Sequence, residues 1–270
     1  MERALKFTLV DTEEGLTEAI KELEGHTTLG LNCEGVSLGR RGKICLVNIT
    51  TPQMTYLFDV TVLGSHVFGA GLKTILESNS ITKIIHDART DSDALYHQYR
   101  VVLTNTFDTQ VADVMVRRNI TKNMPKYLSN YTHCLRVFLG FTYEDTTLKS
   151  VEKEMMSQDP EMYDRRPLDP QNLIQASFGV SFLFDLKECF QKLLMLEFSI
   201  ACDQYLRVKR NLSDMEVAKF ENSPQGMTVD QEFIPRPMLE ARYRPFKTPP
   251  KRFDGTTQRE ETEETDEASS

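Results

Sequence analysis

The run of extended segments between residues 28 and 60 constrains the fold most. Thr28–Glu34 alternates, with Leu29, Leu31 and Cys33 on one face and Asn32 and Glu34 on the other. Ile44–Thr50 and Thr55–Val60 are also strand-like, and Thr51–Pro52 marks a turn between them. After these hairpin-like links the period changes. Val67–Ser78 reads as a helix, Lys83–His86 as a short buried strand and Asp91–Tyr99 as a helix; Thr106–Gln110 opens an element that continues as the helix Val111–Arg117. Ahead of the strands, Thr12–Glu24 carries Leu16, Ala19, Ile20 and Leu23 at helical spacing behind Asp11 or Thr12 as N-cap. From Lys126 to Phe220 the chain is mostly helical. The expected fold is α/β, a mixed central sheet flanked by helices with a helical C-terminal half.

Charge divides the chain. The formal net charge is −8, but Thr256–Ser270 holds six acids and one Arg, a net of −5, which leaves −3 for residues 1–255. That acidic segment lacks large apolar residues and is expected to be disordered. RPFKTPPKR, residues 244–252, reads as an extended basic linker. The expected division is a folded domain over residues 1–220 and an irregular basic linker with an acidic tail over 221–270. No apolar run is long enough to span a bilayer, and the N-terminus is no signal peptide. The five scattered cysteines contain no C-x-x-C pair and suit a reducing, cytoplasmic setting without structural zinc. Neither G-x-G-x-x-G nor a Walker A pattern is present, so no cofactor is expected.

Asn32 and Glu34 on one face of a strand have the geometry of a metal-binding D-x-E motif with its first acid replaced by an amide; a polar strand end is the plain alternative. The wider sequence carries more. LGLNCEGVSLGRRGKICLVNIT, KIIHDARTDSDAL, FDTQVADVM and RRPLDPQNLIQASFGVSFLFDL together resemble the 3′–5′ exonuclease domain of the ribonuclease D class over roughly residues 7–195. That resemblance implies a ribonuclease H-like fold in which four acids on three motifs hold two divalent ions and a Tyr helps place the water. The D-x-E motif falls on Asn32 and Glu34, the second-motif Asp on Asp91, and the Y-x-x-x-D motif on Gln175 and Gly179. Two acids and the Tyr are therefore missing. Two divalent ions about 4 Å apart repel by roughly 17 kcal/mol at an effective dielectric near 20, and two carboxylates offset that poorly. The implied site is degenerate, with no catalytic residue and no metal assigned. Glu34 and Asp91 either remain as polar groups held by a neighbouring Lys or Arg or bind one metal weakly. Gln175 reads as a helix-surface residue, His86 as a hydrogen-bonded core histidine, Asp108 as a helix cap and Tyr163 as a packing residue.

Cys33-Glu34-Gly35-Val36-Ser37-Leu38-Gly39 is similar to the opening of a subgroup that includes Egalitarian-type domains. Members often have eroded ligands and act as RNA-binding adaptors, in part in germline piRNA biogenesis, as homodimers with a Tudor-domain partner. The match begins close to Met1, so the Sm-like extension of some relatives is expected to be absent. The implied function is an inactive, RNA-binding adaptor in a piRNA-processing complex, with meiosis as its setting. The alternatives are a protein scaffold without RNA binding and a weak metal-dependent exoribonuclease. Candidate phosphate contacts are Arg40, Arg41 and Lys43 in one cluster and Arg117, Arg118, Lys122 and Lys126 in another, with Tyr127 and Tyr131 available for stacking. Solvated surface charge is the plain reading of each cluster.

Overall fold

The structure, a computed structural model, describes residues 5–207, 210 and 213–215. The described residues fall into two units, divided between Met195 and Leu196. In the second, helix α10 spans Leu196–Arg207. The boundary expected near residue 220 and the linker and tail expected over 221–270 lie outside the described residues. Among the described residues no helix is long and apolar enough to cross a membrane.

The first unit is built on six strands: β1 (Phe7–Val10), β2 (Thr28–Val36), β3 (Lys43–Thr50), β4 (Thr55–Asp59), β5 (Thr82–Ile85) and β6 (Thr106–Asp108). Their order is β1-β4-β3-β2-β5-β6. The β2–β3 and β3–β4 pairs are antiparallel, as the short links require, whereas β1–β4, β2–β5 and β5–β6 are parallel. This is the mixed sheet expected of a ribonuclease H-like exonuclease fold. β1 is not legible in the sequence, because four residues at a sheet edge give too short a pattern.

Helices cover both faces. On one, Leu29, Leu31 and Cys33 of β2 join Val47, Ile49 and Phe58 in a core closed by α1 (Glu13–Glu24) through Leu16, Ala19, Ile20 and Leu23. Thr12 caps α1 by accepting from the Gly15 N–H at 3.2 Å. α3 (Lys73–Glu77) and α4 (Ala88–Tyr99) add Ile75, Leu76, Ala94 and Leu95 to the same core. The helix expected over Val67–Ser78 is present, but its first part, Phe68–Leu72, is a π-helix that runs into α3. Gly71 there has φ 137°, and a Cβ on it would meet Ile20 Cγ2 at 2.6 Å, so an ordinary helical turn is not available. The stretch after β4 forms a short helix, α2 (Val60–Leu63), capped by Asp59.

The other face is covered by the helical half: α5 (Thr109–Thr121), α6 (Tyr131–Leu139), α7 (Thr147–Gln158), α8 (Pro170–Ser181) and α9 (Leu183–Leu194). Ala112, Val116, Cys134, Leu135, Phe178, Phe182, Leu186 and Phe190 form its core. α8 lies across β2, β3 and β4, with Leu46 and Leu57 packed on Ala176 and Tyr163.

The β2–β3 register shifts between Glu34 and Gly35: Glu34 pairs with Leu46, but Gly35 pairs with Ile44. This bulge puts both Cys45 and Leu46 on the α8 side of the sheet. A Cβ on Gly35 would stand 1.9 Å from the Lys43 carbonyl oxygen, so the crossing admits no side chain. Gly35→Ala is therefore expected to destabilise the domain by about 3 kcal/mol, read as a lower urea midpoint. An unchanged midpoint would show that the bulge relaxes without cost.

Candidate functional site

Period 2 along β2 and the cover of α8 define the site. Gly30, Asn32 and Glu34 point to the helical half: a Cβ on Gly30 would meet Leu183, and Asn32 stands opposite Asn48, whose amide lies 3.5 Å from the Ala176 carbonyl. Glu34 is buried. Its Oε1 accepts from Asn32 Nδ2 at 2.8 Å and from Lys149 Nζ at 3.3 Å. Lys149, on α7, also pairs with Glu152 one turn along the same helix, at 2.5 Å. The Tyr163 hydroxyl donates to the other Glu152 oxygen. Glu34, Lys149, Glu152 and Tyr163 thus form one buried chain of charge-assisted contacts that ties β2 to α7 and to the loop before α8.

Asp91 approaches from the start of α4. The β2–β5 ladder runs from Thr28 to Gly30, and beyond it Asp91 Oδ1 accepts from the Cys33 backbone N–H at 2.6 Å. Asp91 therefore continues the edge that β5 leaves. Burial pushes the Asp91 carboxyl up to about 6, against the pull of the Cys33 N–H. Burial likewise raises Glu34 to about 7, although Lys149 draws it down. Burial alone would lower the Lys149 ammonium, but Glu34 and Glu152 outweigh it, so its pKa is raised and it stays charged.

The third motif faces the site through Gly179. A Cβ there would lie 3.2 Å from Lys149 Nζ and 3.4 Å from Asn32 Nδ2. Asn32, Glu34 and Gly179 converge, and Asp91 reaches the same strand from its edge. Gln175 is a correction: it is fully buried rather than on the helix surface, because α8 presents Asn172, Gln175 and Ala176 to the rest of the domain. Its Nε2 lies 3.4 Å from Met155 Sδ and its Oε1 has no hydrogen-bond partner. Tyr163 packs, as expected, but also positions Glu152. Sequence reasoning misses Lys149 and Glu152. The signal is present: Glu152 interrupts the stripe Leu148, Glu152, Met155 on α7, and a lone acid in such a stripe requires a cation.

These residues do not fit a two-ion site. Asn32 presents its amide nitrogen to Glu34, Gly179 supplies no ligand, and an ammonium stands against the remaining glutamate. Among the described residues no group of three His, Cys, Asp or Glu side chains could hold a metal ion.

His86 joins Thr109 Oγ1 at 2.9 Å and the Ser129 carbonyl at 3.1 Å, a core histidine. Asp108 caps α5 by accepting from Gln110 N–H at 2.8 Å, and it also accepts from the Asp87 and Ala88 N–H groups at the start of α4. Of the basic candidates, Arg40 is paired with Asp93, Lys43 with Asp164, and Arg117 with Asp113. Arg41, Arg118, Lys122 and Lys126 are exposed, as is Tyr127, while Tyr131 is packed against His86 and Phe178.

Residues 7–171 match the 3′-5′ exonuclease family. The chain is 31% identical over 235 residues to the mouse (Mus musculus) piRNA biogenesis protein EXD1, covering 86% of this chain and 41% of that protein. It therefore spans less than half the length of that relative. Among solved structures, Trypanosoma brucei RNase D bound to GMP superposes with a TM-score of 0.61 at 25% identity, covering 69% of this chain and 57% of that one. The same enzyme in complex with RNA U12 gives 0.60 at 26% identity, covering 68% and 62%.

Two outcomes follow. Tyr163→Phe is expected to cost about 2 kcal/mol, since Glu152 loses a buried donor; an unchanged denaturation midpoint would contradict the network. Burial lowers the His86 pKa, so the unfolded chain takes the proton more readily. The His86 contribution is fully present above about pH 6.5 and is lost as pH falls through the folded value. The urea midpoint of the wild type should fall more steeply below about pH 6.5 than that of His86→Gln. The opposite-signed contributions of Glu34 and Asp91 are common to both proteins.

Proposed function

The chain belongs to the 3′-5′ exonuclease family, and from that premise we propose that it is a catalytically inactive member that holds RNA as an adaptor in piRNA biogenesis. One observation carries the inactivity. Both retained acids are committed to the protein itself, Glu34 to Asn32 and Lys149 and Asp91 to the Cys33 N–H, while positions 32 and 179 bring no carboxylate. In-line hydrolysis by two ions needs those carboxylates to fix the ions and the attacking water.

The RNA part rests on kinship. The mouse relative is named for piRNA biogenesis, and an RNase D of the same fold was solved with RNA. A cytoplasmic homodimer working beside a Tudor-domain protein is part of the same proposal. With Arg40, Lys43 and Arg117 paired, the exposed Arg41, Arg118 and Lys126 are the phosphate-contact candidates of this proposal. The pairing also favours one second reading, a protein scaffold without RNA binding.

Filter binding at two salt concentrations, together with a decay assay on 3′-labelled RNA in Mg²⁺ or Mn²⁺, separates these readings. Salt-sensitive retention without shortening is expected. Retention that is absent at low salt would favour the scaffold, and decay abolished by Glu34→Ala would establish a nuclease. Replacing Arg118 and Lys126 with Ala is expected to weaken retention and to flatten the log–log salt slope by about 0.7 per lost phosphate contact. Arg40→Ala should change the slope less; an equal change would show that its pair with Asp93 opens for RNA.

A further inference from the structure

We propose that the Lys149 ammonium is a built-in substitute for a divalent ion: it supplies the cleft's positive charge from within the chain and excludes metal from it. The proposal rests on the reading of the cleft as inactive and adds what replaced the metal. Three distances place the ammonium. Nζ stands 3.3 Å from Glu34 Oε1 and 2.5 Å from Glu152 Oε2, and 3.2 Å from the point where a Cβ at position 179 would lie. It therefore touches the retained family glutamate and fills the space that a third-motif carboxylate would enter. Lys149 and Glu152 are largely buried, with side chains 18% and 5% exposed.

The chemistry is consistent on every side. Buried carboxylates need a cation, and an ammonium meets that need with three donors and no demand for octahedral oxygen ligands. Asn32 contributes a donor to Glu34 where an aspartate would repel it. Gly179 leaves the space in which Nζ stands. Asn32, Gly179 and Lys149 thus fit one another in space. Two consequences follow. A divalent ion cannot enter beside a fixed ammonium without strong repulsion, and restoring the missing acids alone does not rebuild a metal site.

The test uses the full chain with Mn²⁺ alone, without RNA, read by calorimetric titration and by thermal unfolding. Three proteins are compared: wild type, Asn32→Asp/Gly179→Asp, and that double variant with Lys149→Ala. The expected result is no Mn²⁺ uptake and no shift in Tm for the first two. The third should take up Mn²⁺ and gain about 5 °C or more in Tm at a concentration about a hundredfold above its Kd. Mn²⁺ uptake by the wild type, equal uptake by the double and triple variants, or a folded triple variant that binds none would each overturn the proposal. Should the triple variant not fold, Lys149→Met is compared with Lys149→Met/Glu152→Gln. Removing the unpaired carboxylate should then recover part of the lost Tm, and no recovery would overturn the role of Lys149 as counter-cation. Failure of RNA retention would leave this result standing, and Mn²⁺ uptake by the wild type without RNA decay would sink this proposal while sparing the adaptor reading.

Discussion

A carboxylate taken out of water must be given a cation or hydrogen-bond donors, or it must give up its charge. The cleft of this protein is organised by that requirement. Glu34 is fixed by β2, whose other face is locked into the core by Leu29, Leu31 and Cys33, so it cannot turn away to solvent. The charge has to be met where it stands. Asn32, Lys149, Glu152 and Tyr163 are arranged around it accordingly, and the position of α7 against the sheet follows from that arrangement. The cleft is thereby a polar joint between sheet and helices.

The bulge at Gly35 belongs to the same joint. By shifting the register after Glu34 it lets Cys45 and Leu46 both face the helical half, where Tyr163 packs. Tyr163 then brings its hydroxyl to Glu152. Backbone geometry in one hairpin and a hydrogen bond to a helix on another layer are consequences of one inserted residue. Arg166 closes the neighbouring loop, its guanidinium held by the buried Asp59 at 2.5 and 2.6 Å.

Much of this is legible in the sequence, and the reasons for what is not are physical. Alternation in Thr28–Glu34 puts Asn32 and Glu34 on one face correctly, because period 2 is imposed by the pleat and not by context. The spacing of Gln175 and Gly179 aims the third motif at the cleft for the same kind of reason. Exposure is harder. Gln175 is polar and helical, and only the lie of α8 across three strands buries it. The basic residues form clusters by proximity in sequence alone. Arg40, Lys43 and Arg117 turn out to be engaged by Asp93, Asp164 and Asp113, two of them distant along the chain. That some Lys or Arg would hold Glu34 follows from the burial of a strand acid, but nothing local points to Lys149, 115 residues away.

Asp108 stands apart from the cleft acids. Its single carboxylate accepts N–H groups at the start of both α4 and α5, so two helices are fastened at one point. Positions 32, 175 and 179 carry no acid, and the domain closes around them all the same. Asp108 has no such latitude, because its loss would free two helix ends at once. The acids of this domain therefore do two separate jobs: Glu34 and Asp91 are held inside the cleft, whereas Asp108 sets where two helices begin.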